Sequence, residues 1–242
     1  MQTDPVTSSS FARELVRGLK ACAPLALSVS VYGLVWGVLA GQAGLSILEV
    51  LAMSGLVFAG ASQFVALDLW TPSALPIGAL IAAAAVVNLR MMLMTATLRP
   101  TLASLPRWQG LLATLLTTDE TWALTIGQRP AGRDSAGFFV GAGLMLWTTW
   151  LAVTLAGRLL GAAIAEPESL GLDFAFTATF IALLLGMWKG RADLVPWIVG
   201  GGVAVLVTRL VPGEWHILAG GLCGSLAGAI AETIGRRREA RP

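Results

Sequence analysis

GLLATLLTTDETWALTIG, residues 110–127, is an apolar run long enough to cross a membrane, yet two adjacent acidic side chains, Asp119 and Glu120, sit inside it. Ionisable groups at bilayer depth cost roughly 2.5 to 3.5 kcal/mol each on insertion scales, so they persist where they line a pathway, pair, or carry protons. The same run holds Thr114, Thr118, Thr121 and Thr125, which helical spacing places on one narrow stripe. At 100° per residue Asp119 points about 140° from that stripe and Glu120 about 120°. One regular helix cannot turn all of these groups toward a single cavity. Either the helix is broken near residues 117–120, a device transporters use at midplane sites, or a second protein covers the other face. A break also offers free backbone groups and a positive helix start to an anionic group.

Outward from this run the whole chain has the same character. Charged residues make up 12% and hydrophobic residues 56%, with nine Trp against one Tyr, which predicts an all-α, polytopic membrane helical bundle. Apolar segments fall at 21–43, 47–67, 74–98, 110–127, 137–164, 173–188, 193–212 and 215–234. Eight spans are expected, with seven spans and one re-entrant piece as the variant, because the third and fourth segments hold charges and the sixth is short. The expected organisation is a cytoplasmic segment at 1–20, with 11–20 along the interface, a transmembrane permease domain at 21–234 and a basic cytoplasmic tail at 235–242. The first apolar run is too long for a cleaved signal peptide, so the first helix is expected to be retained.

Basic residues orient the bundle. In an eight-span arrangement Arg13, Arg17, Lys20, Arg129, Arg133, Lys189, Arg191, Arg236, Arg237, Arg238 and Arg241 share one side, and Arg99, Arg107 and Arg209 take the other. The positive-inside bias then places both termini in the cytoplasm. The net charge of +2 has no basic stripe, so nucleic acid is not an expected partner. Cys22 and Cys223 form no CxxC or Cys/His set and read as buried filler. His216 is isolated, and HExxH, Gly-x-Ser-x-Gly and Asp-rich metal clusters do not occur, so no catalytic residue, no metal site, no cofactor and no enzyme activity are expected.

Glycine spacing predicts how helices meet. Gly33, Gly37 and Gly41, and again Gly220, Gly224 and Gly228, recur every four residues and make smooth faces for a close partner helix, in this chain or in another subunit. LVFAGASQFVAL from Leu56 and LDFAFTATFIAL from Leu172 agree at half of their positions, at an offset of 116 residues, and the same offset matches Leu39, Ala40 and Gly41 to Leu155, Ala156 and Gly157. Internal duplication is a common transporter construction.

The candidate site residues are Ser62, Gln63, Asn88, Arg90, Asp119 and Glu120. A zwitterionic aliphatic amino acid needs donors for its carboxylate, such as Arg90 with Asn88 or an exposed helix start. It also needs acceptors for its ammonium, such as Glu120, Asp119 or Gln63, and a small apolar pocket. Arg gives the planar, bidentate carboxylate recognition that Lys lacks, and Asp119 or Glu120 is suited to exchange a proton. The competing reading is a permanent structural ion pair between Arg90 and one of the two acids.

Three motifs in order, LVFAGASQF at 56–64, VVNLRMMLM at 86–94 and LTTDETWAL at 116–124, closely resemble the AzlC-type family of branched-chain amino-acid exporters. LDFAFTATFIALL and the last segment after a Pro-Gly turn also look like that family, so the resemblance covers nearly the whole chain. It implies an inner-membrane permease, the large subunit of a two-component exporter of valine, leucine, isoleucine and often methionine. It also implies a small AzlD-type partner of about four spans and the proton gradient as driving force. The matching positions are Phe58, Ala59, Gly60, Ala61, Ser62 and Gln63, then Asn88, Leu89 and Arg90, then Thr118, Asp119 and Glu120. Many relatives follow the Asn-Leu-Arg motif with His where this chain has Met91, which turns attention to Asp119 and Glu120 as proton carriers. The alternatives are a passive structural subunit of a membrane complex and an intramembrane enzyme.

Overall fold

The computed structural model describes residues 8–70, 75–161, 181, 185, 188, 190–211 and 215–239, and no strand occurs among them. The chain is an all-helical membrane bundle. In order the helices are α1 (Ser8–Gln42), α2 (Ile47–Ala52), α3 (Gly60–Asp68), α4 (Ile77–Leu102), α5 (Arg107–Thr114), α6 (Asp119–Gly127), α7 (Ala136–Gly161), α8 (Leu194–Leu210) and α9 (Trp215–Glu239). A π turn, Met53–Val57, extends α2, and 3-10 turns occupy Arg129–Ala131 and Arg191–Asp193. The sixth apolar segment, 173–188, lies outside the described residues apart from 181, 185 and 188, as does most of the second repeat copy from Leu172.

Three described helices, α1, α4 and α7, are long and apolar enough to cross a bilayer. At 1.5 Å per residue the 26 residues of α4 span about 39 Å, more than the ~30 Å hydrocarbon core. Helix α1 runs unbroken through Pro24, so residues 11–20 are continuous with the first span.

The reason is the fit of α1 against α7. A Cβ on Gly18 would stand 2.8 Å from the Ala142 nitrogen, and one on Gly137 would stand 2.8 Å from the Phe11 carbonyl oxygen. Farther along, a Cβ on Gly33 would strike Val153 and Trp150, one on Gly37 would stand 2.9 Å from the Arg158 nitrogen, and one on Gly41 would stand 3.1 Å from Arg158 Cδ. Gly157 and Gly161 answer from α7 against Gly37 and Val38. Contacts that advance together in both sequences mean that α1 and α7 run parallel. Gly220, Gly224 and Gly228 of α9 face Gly200, Ala204 and Pro196 of α8, in antiparallel order. Both glycine faces therefore have a partner helix in this chain.

Helix α4 runs the other way. Its last turns reach Arg129 and Asp134, which adjoin Arg133 and Ser135, and these two in turn bond to Arg17 and Glu14 at the start of α1. At the opposite end of the bundle, Arg158 near the end of α7 donates to the Leu45 carbonyl just after α1. This geometry decides the second and fourth segments. The α2–α3 segment leaves the end where α1 finishes and returns to the end where α4 begins. The α5–α6 segment leaves the end where α4 finishes and returns to the end where α7 begins. Each is a broken helical hairpin that enters and exits on one side, so the eight-span and single-re-entrant expectations are both corrected.

The hairpins also move two arginines. Arg99 and Arg107, expected opposite the basic cluster, stand at the same end as Arg13, Arg17, Arg129 and Arg133, hereafter the basic end. The expectation of two buried cysteines is corrected in part, since Cys22 is buried but Cys223 is exposed. In the threonine stripe, Thr114, Thr121 and Thr125 bond to the carbonyls of Leu111, Leu116 and Thr121 within their own hairpin.

Candidate functional site at two helix breaks

The break in the fourth segment is built locally. Residues 115–118 leave the helical path, and Thr118, in extended conformation, caps α6 by accepting from the Thr121 amide (3.2 Å) while its own amide donates to Thr121 Oγ1 (2.8 Å). Thr121 Oγ1 also donates to the Leu116 carbonyl (2.9 Å), stitching the two arms across the gap. Asp119 and Glu120 thereby become the first turn of α6, where the helix dipole favours negative charge.

The break in the second segment has a different cause. Phe58 takes a left-handed conformation (φ 44°, ψ 45°) directly after the π turn, and Ala59 begins α3 with no side-chain cap. A non-glycine residue there costs about 1 to 3 kcal/mol, which the burial of the Phe58 ring in the main core offsets. π turns occur disproportionately at functional positions.

Both breaks meet the middle of α4. Asn88 Nδ2 donates to Ser62 Oγ (3.1 Å), which donates to the Ala59 carbonyl (3.0 Å). Arg90 Nη2 stands 3.0 Å from Asp119 Oδ2, with the two side chains 35% and 43% exposed. Positions 88 and 90 lie 200° apart around a helix at 100° per residue. Asn88 therefore serves the α3 break and Arg90 the α6 break, and the two do not converge on one point as the sequence reading expected. Fully buried Gln63 accepts from Trp150 Nε1 (3.0 Å) and reaches Ser54 Oγ (3.4 Å).

Tyr32 joins the two clusters. Its ring packs on Trp150 at 5.4 Å, its Cε2 lies 3.5 Å from where a Cβ on Gly60 would be, and it lies in the field of Glu120, Asp119 and Arg90. Sequence reasoning passed over it, although it is the chain's single tyrosine and precedes the glycine stripe at Gly33. Three buried polar atoms in this region, Asn88 Oδ1, Arg90 Nε and Thr117 Oγ1, have no hydrogen-bond partner among the described residues. Such atoms are uncommon in folded proteins. Among the described residues no group of three or more His, Cys, Asp or Glu side chains stands together.

Outside the spans, Asp134 ties the foot of α6 to α4. It accepts from Thr101 Oγ1 (2.8 Å) and from Arg129 Nε (3.1 Å). Burial pushes its carboxyl up, but the Thr101 and Arg129 hydrogen bonds and the guanidinium charge together hold it below the usual carboxylate range.

Two interrupted helices halfway along a membrane bundle, one of them carrying an ion pair at its restart, are the construction of a membrane transporter. Sequence comparison agrees. The family model described as AzlC protein matches residues 24–164, more than half of the chain, and the chain belongs to that family. It is 30% identical over 212 residues to an uncharacterized membrane protein of Archaeoglobus fulgidus, covering 87% of this chain and 92% of the relative. It is 28% identical to the inner membrane protein YgaZ of Escherichia coli, with 89% of each covered. It is 24% identical to the branched-chain amino acid transport protein AzlC of Bacillus subtilis, with 77% of this chain and 72% of that one covered. No solved structure matches.

Proposed function

We propose that this chain exports the branched-chain amino acids valine, leucine and isoleucine, and methionine besides, across the bacterial inner membrane, coupled to protons and together with a small AzlD-type subunit. The observation that carries the reading is the Arg90–Asp119 pair between the middle of α4 and the break before α6. Both side chains are partly open, so an incoming carboxylate can reach the guanidinium and take the place of Asp119 on it. Asp119 and Glu120 are then free for the ammonium and for the coupling proton. The uncapped start of α3 offers backbone donors, held in place by Ser62 and Asn88. Gln63 with Trp150, and Tyr32, make the wall. The basic end faces the cytoplasm in this reading, with both termini inside, because Lys and Arg concentrate there.

The passive-subunit alternative leaned on the glycine faces, and both are covered within the chain. Counterflow of labelled valine in liposomes, with and without the small subunit, tests the transport claim, and absence of exchange under every condition removes it. Arg90→Lys in a folded, inserted protein is expected to abolish exchange. Unchanged exchange in that variant would leave Arg90 a structural role only.

A further inference from the structure

The α5–α6 hairpin is strapped to α4 at three heights. At the tip Asp119 meets Arg90 (3.0 Å), and farther down Trp122 Nε1 donates to Thr97 Oγ1 (2.8 Å). At the foot Arg129 donates to the Thr97 carbonyl (2.6 Å), to Thr101 Oγ1 (3.2 Å) and to Asp134 Oδ2 (3.1 Å). Thr101 donates to the same carboxylate oxygen (2.8 Å). One guanidinium thus makes two bonds to α4 and a third to Asp134, which Thr101 of α4 also binds.

The other hairpin is attached differently. Trp147 Nε1 donates to the Gly55 carbonyl (3.0 Å) and Trp150 to Gln63 (3.0 Å), which fixes α2–α3 to α7. Helix α7 is in turn interlocked with α1 at backbone distance. Packed backbones resist sliding. The α5–α6 hairpin instead meets its neighbours through side chains, with Leu116, Trp122 and Ile126 packed on a cluster that includes Leu98, Leu102 and Phe139, and these contacts can slide once the polar straps to α4 let go.

What α6 covers gives the swing a consequence. Leu124 of α6 packs against the core cluster that contains Cys22, whose side chain is fully buried in the basic-end half of α1. The same helix starts at Asp119 and Glu120. Displacing α6 at its foot opens a path from the basic end to both acids and to that thiol.

We propose that the α5–α6 hairpin is the gate at the basic end of the bundle and that Arg129 is its latch. The gate is shut while Arg129 spans Thr97, Thr101 and Asp134, and it opens when the guanidinium lets go. The inference rests on the transporter reading, in which access to a central site alternates between the two ends. Capture of Arg90 by a substrate carboxylate removes the strap at the tip, so the Trp122–Thr97 bond and the foot then keep the gate closed. Arg129 touches no proposed substrate position and is a positioning residue.

The native thiol reports the gate directly. With the exposed Cys223 changed to Ser, labelling of Cys22 by a charged maleimide in purified protein is expected to be slow. Arg129→Ala is expected to speed it about tenfold or more, the scale of losing charged hydrogen bonds. Arg129→Lys is expected to lie between, since an ammonium keeps the charge but not the planar fork. As a control, Ala40→Cys, fully buried in the far half of α1, placed in a Cys22→Ser, Cys223→Ser background, is expected to stay protected when Arg129→Ala is added. Unchanged Cys22 labelling in both Arg129 variants overturns the latch. So does equal exposure at both positions, which would mark general loosening. Arg129→Lys decides the matter where Arg129→Ala does not fold. Labelling requires no transport, so the result stands apart from the valine counterflow.

Discussion

Trp150 shows how much of this molecule turns on single side chains. Its indole donates to fully buried Gln63 while its ring packs on Tyr32, so one residue braces both the α3 break and the wall of the site. Trp150→Phe keeps an aromatic ring and strands the Gln63 oxygen, which is expected to cost about 1 to 3 kcal/mol. Thermal unfolding in detergent reads that loss, and a midpoint equal to the parent's would remove the bond from the account. Asp134 permits a test with a sign. Its folded carboxyl titrates below the unfolded value of about 3.9, so its contribution is complete above that pH and is lost as pH falls through the depressed folded value. The stability difference between the parent and Asp134→Asn is therefore expected to be the same at pH 5.5 and 7.5. A difference that changes between those two points would mean that another group controls the foot of α6.

At the scale of the helix, glycines separate contact from mere composition. A Cβ on Gly157 would stand 3.0 Å from Gly37 Cα, with the Leu34 carbonyl closer still, whereas one on Gly201 would meet nothing within 4 Å. Gly157→Val is expected to prevent α1 from seating and to lose the folded protein. Gly201→Ala is expected to be neutral or to stabilise by up to about 1 kcal/mol through helix propensity, both read as yield and thermal midpoint after extraction. The break at Thr118 was legible in the sequence because the threonine stripe and the two acids demand incompatible faces of one helix, and a Thr at the break is a ready cap. The break at Phe58 was not legible. LVFAG is an unbroken apolar stretch, and its left-handed residue is a phenylalanine, which local rules keep out of that region. Its conformation is held by burial of the ring among residues distant in sequence, information that a window of neighbours does not carry. Arg90 with Asp119 was foreseeable as a pair of opposite charges within apolar segments. Tyr32 was not, since its place depends on how α1 crosses both hairpins.

For the whole molecule, the two hairpins preserve orientation while changing the count. Two segments that enter and leave on the same side drop out of the sum together. The start of α1 and the start of α7 therefore still share the basic end, as they would if all the segments crossed. What changes is the side of two loops, the one between α3 and α4 and the one between α4 and α5, and with the second Arg99 and Arg107. That difference can be measured. Ser104 and Ala131 are both exposed and lie in the loops flanking the α5–α6 hairpin, while Gln42 is exposed at the other end of α1. In a background without Cys22 and Cys223, Ser104→Cys and Ala131→Cys are expected to react with an impermeant thiol reagent from one side of the membrane, and Gln42→Cys from the other. An eight-span bundle requires Ser104→Cys to side with Gln42→Cys instead. That outcome would put the tip of α6 on a through-going helix, leave Asp119 without a hairpin to carry it, and withdraw the gate along with the re-entrant architecture.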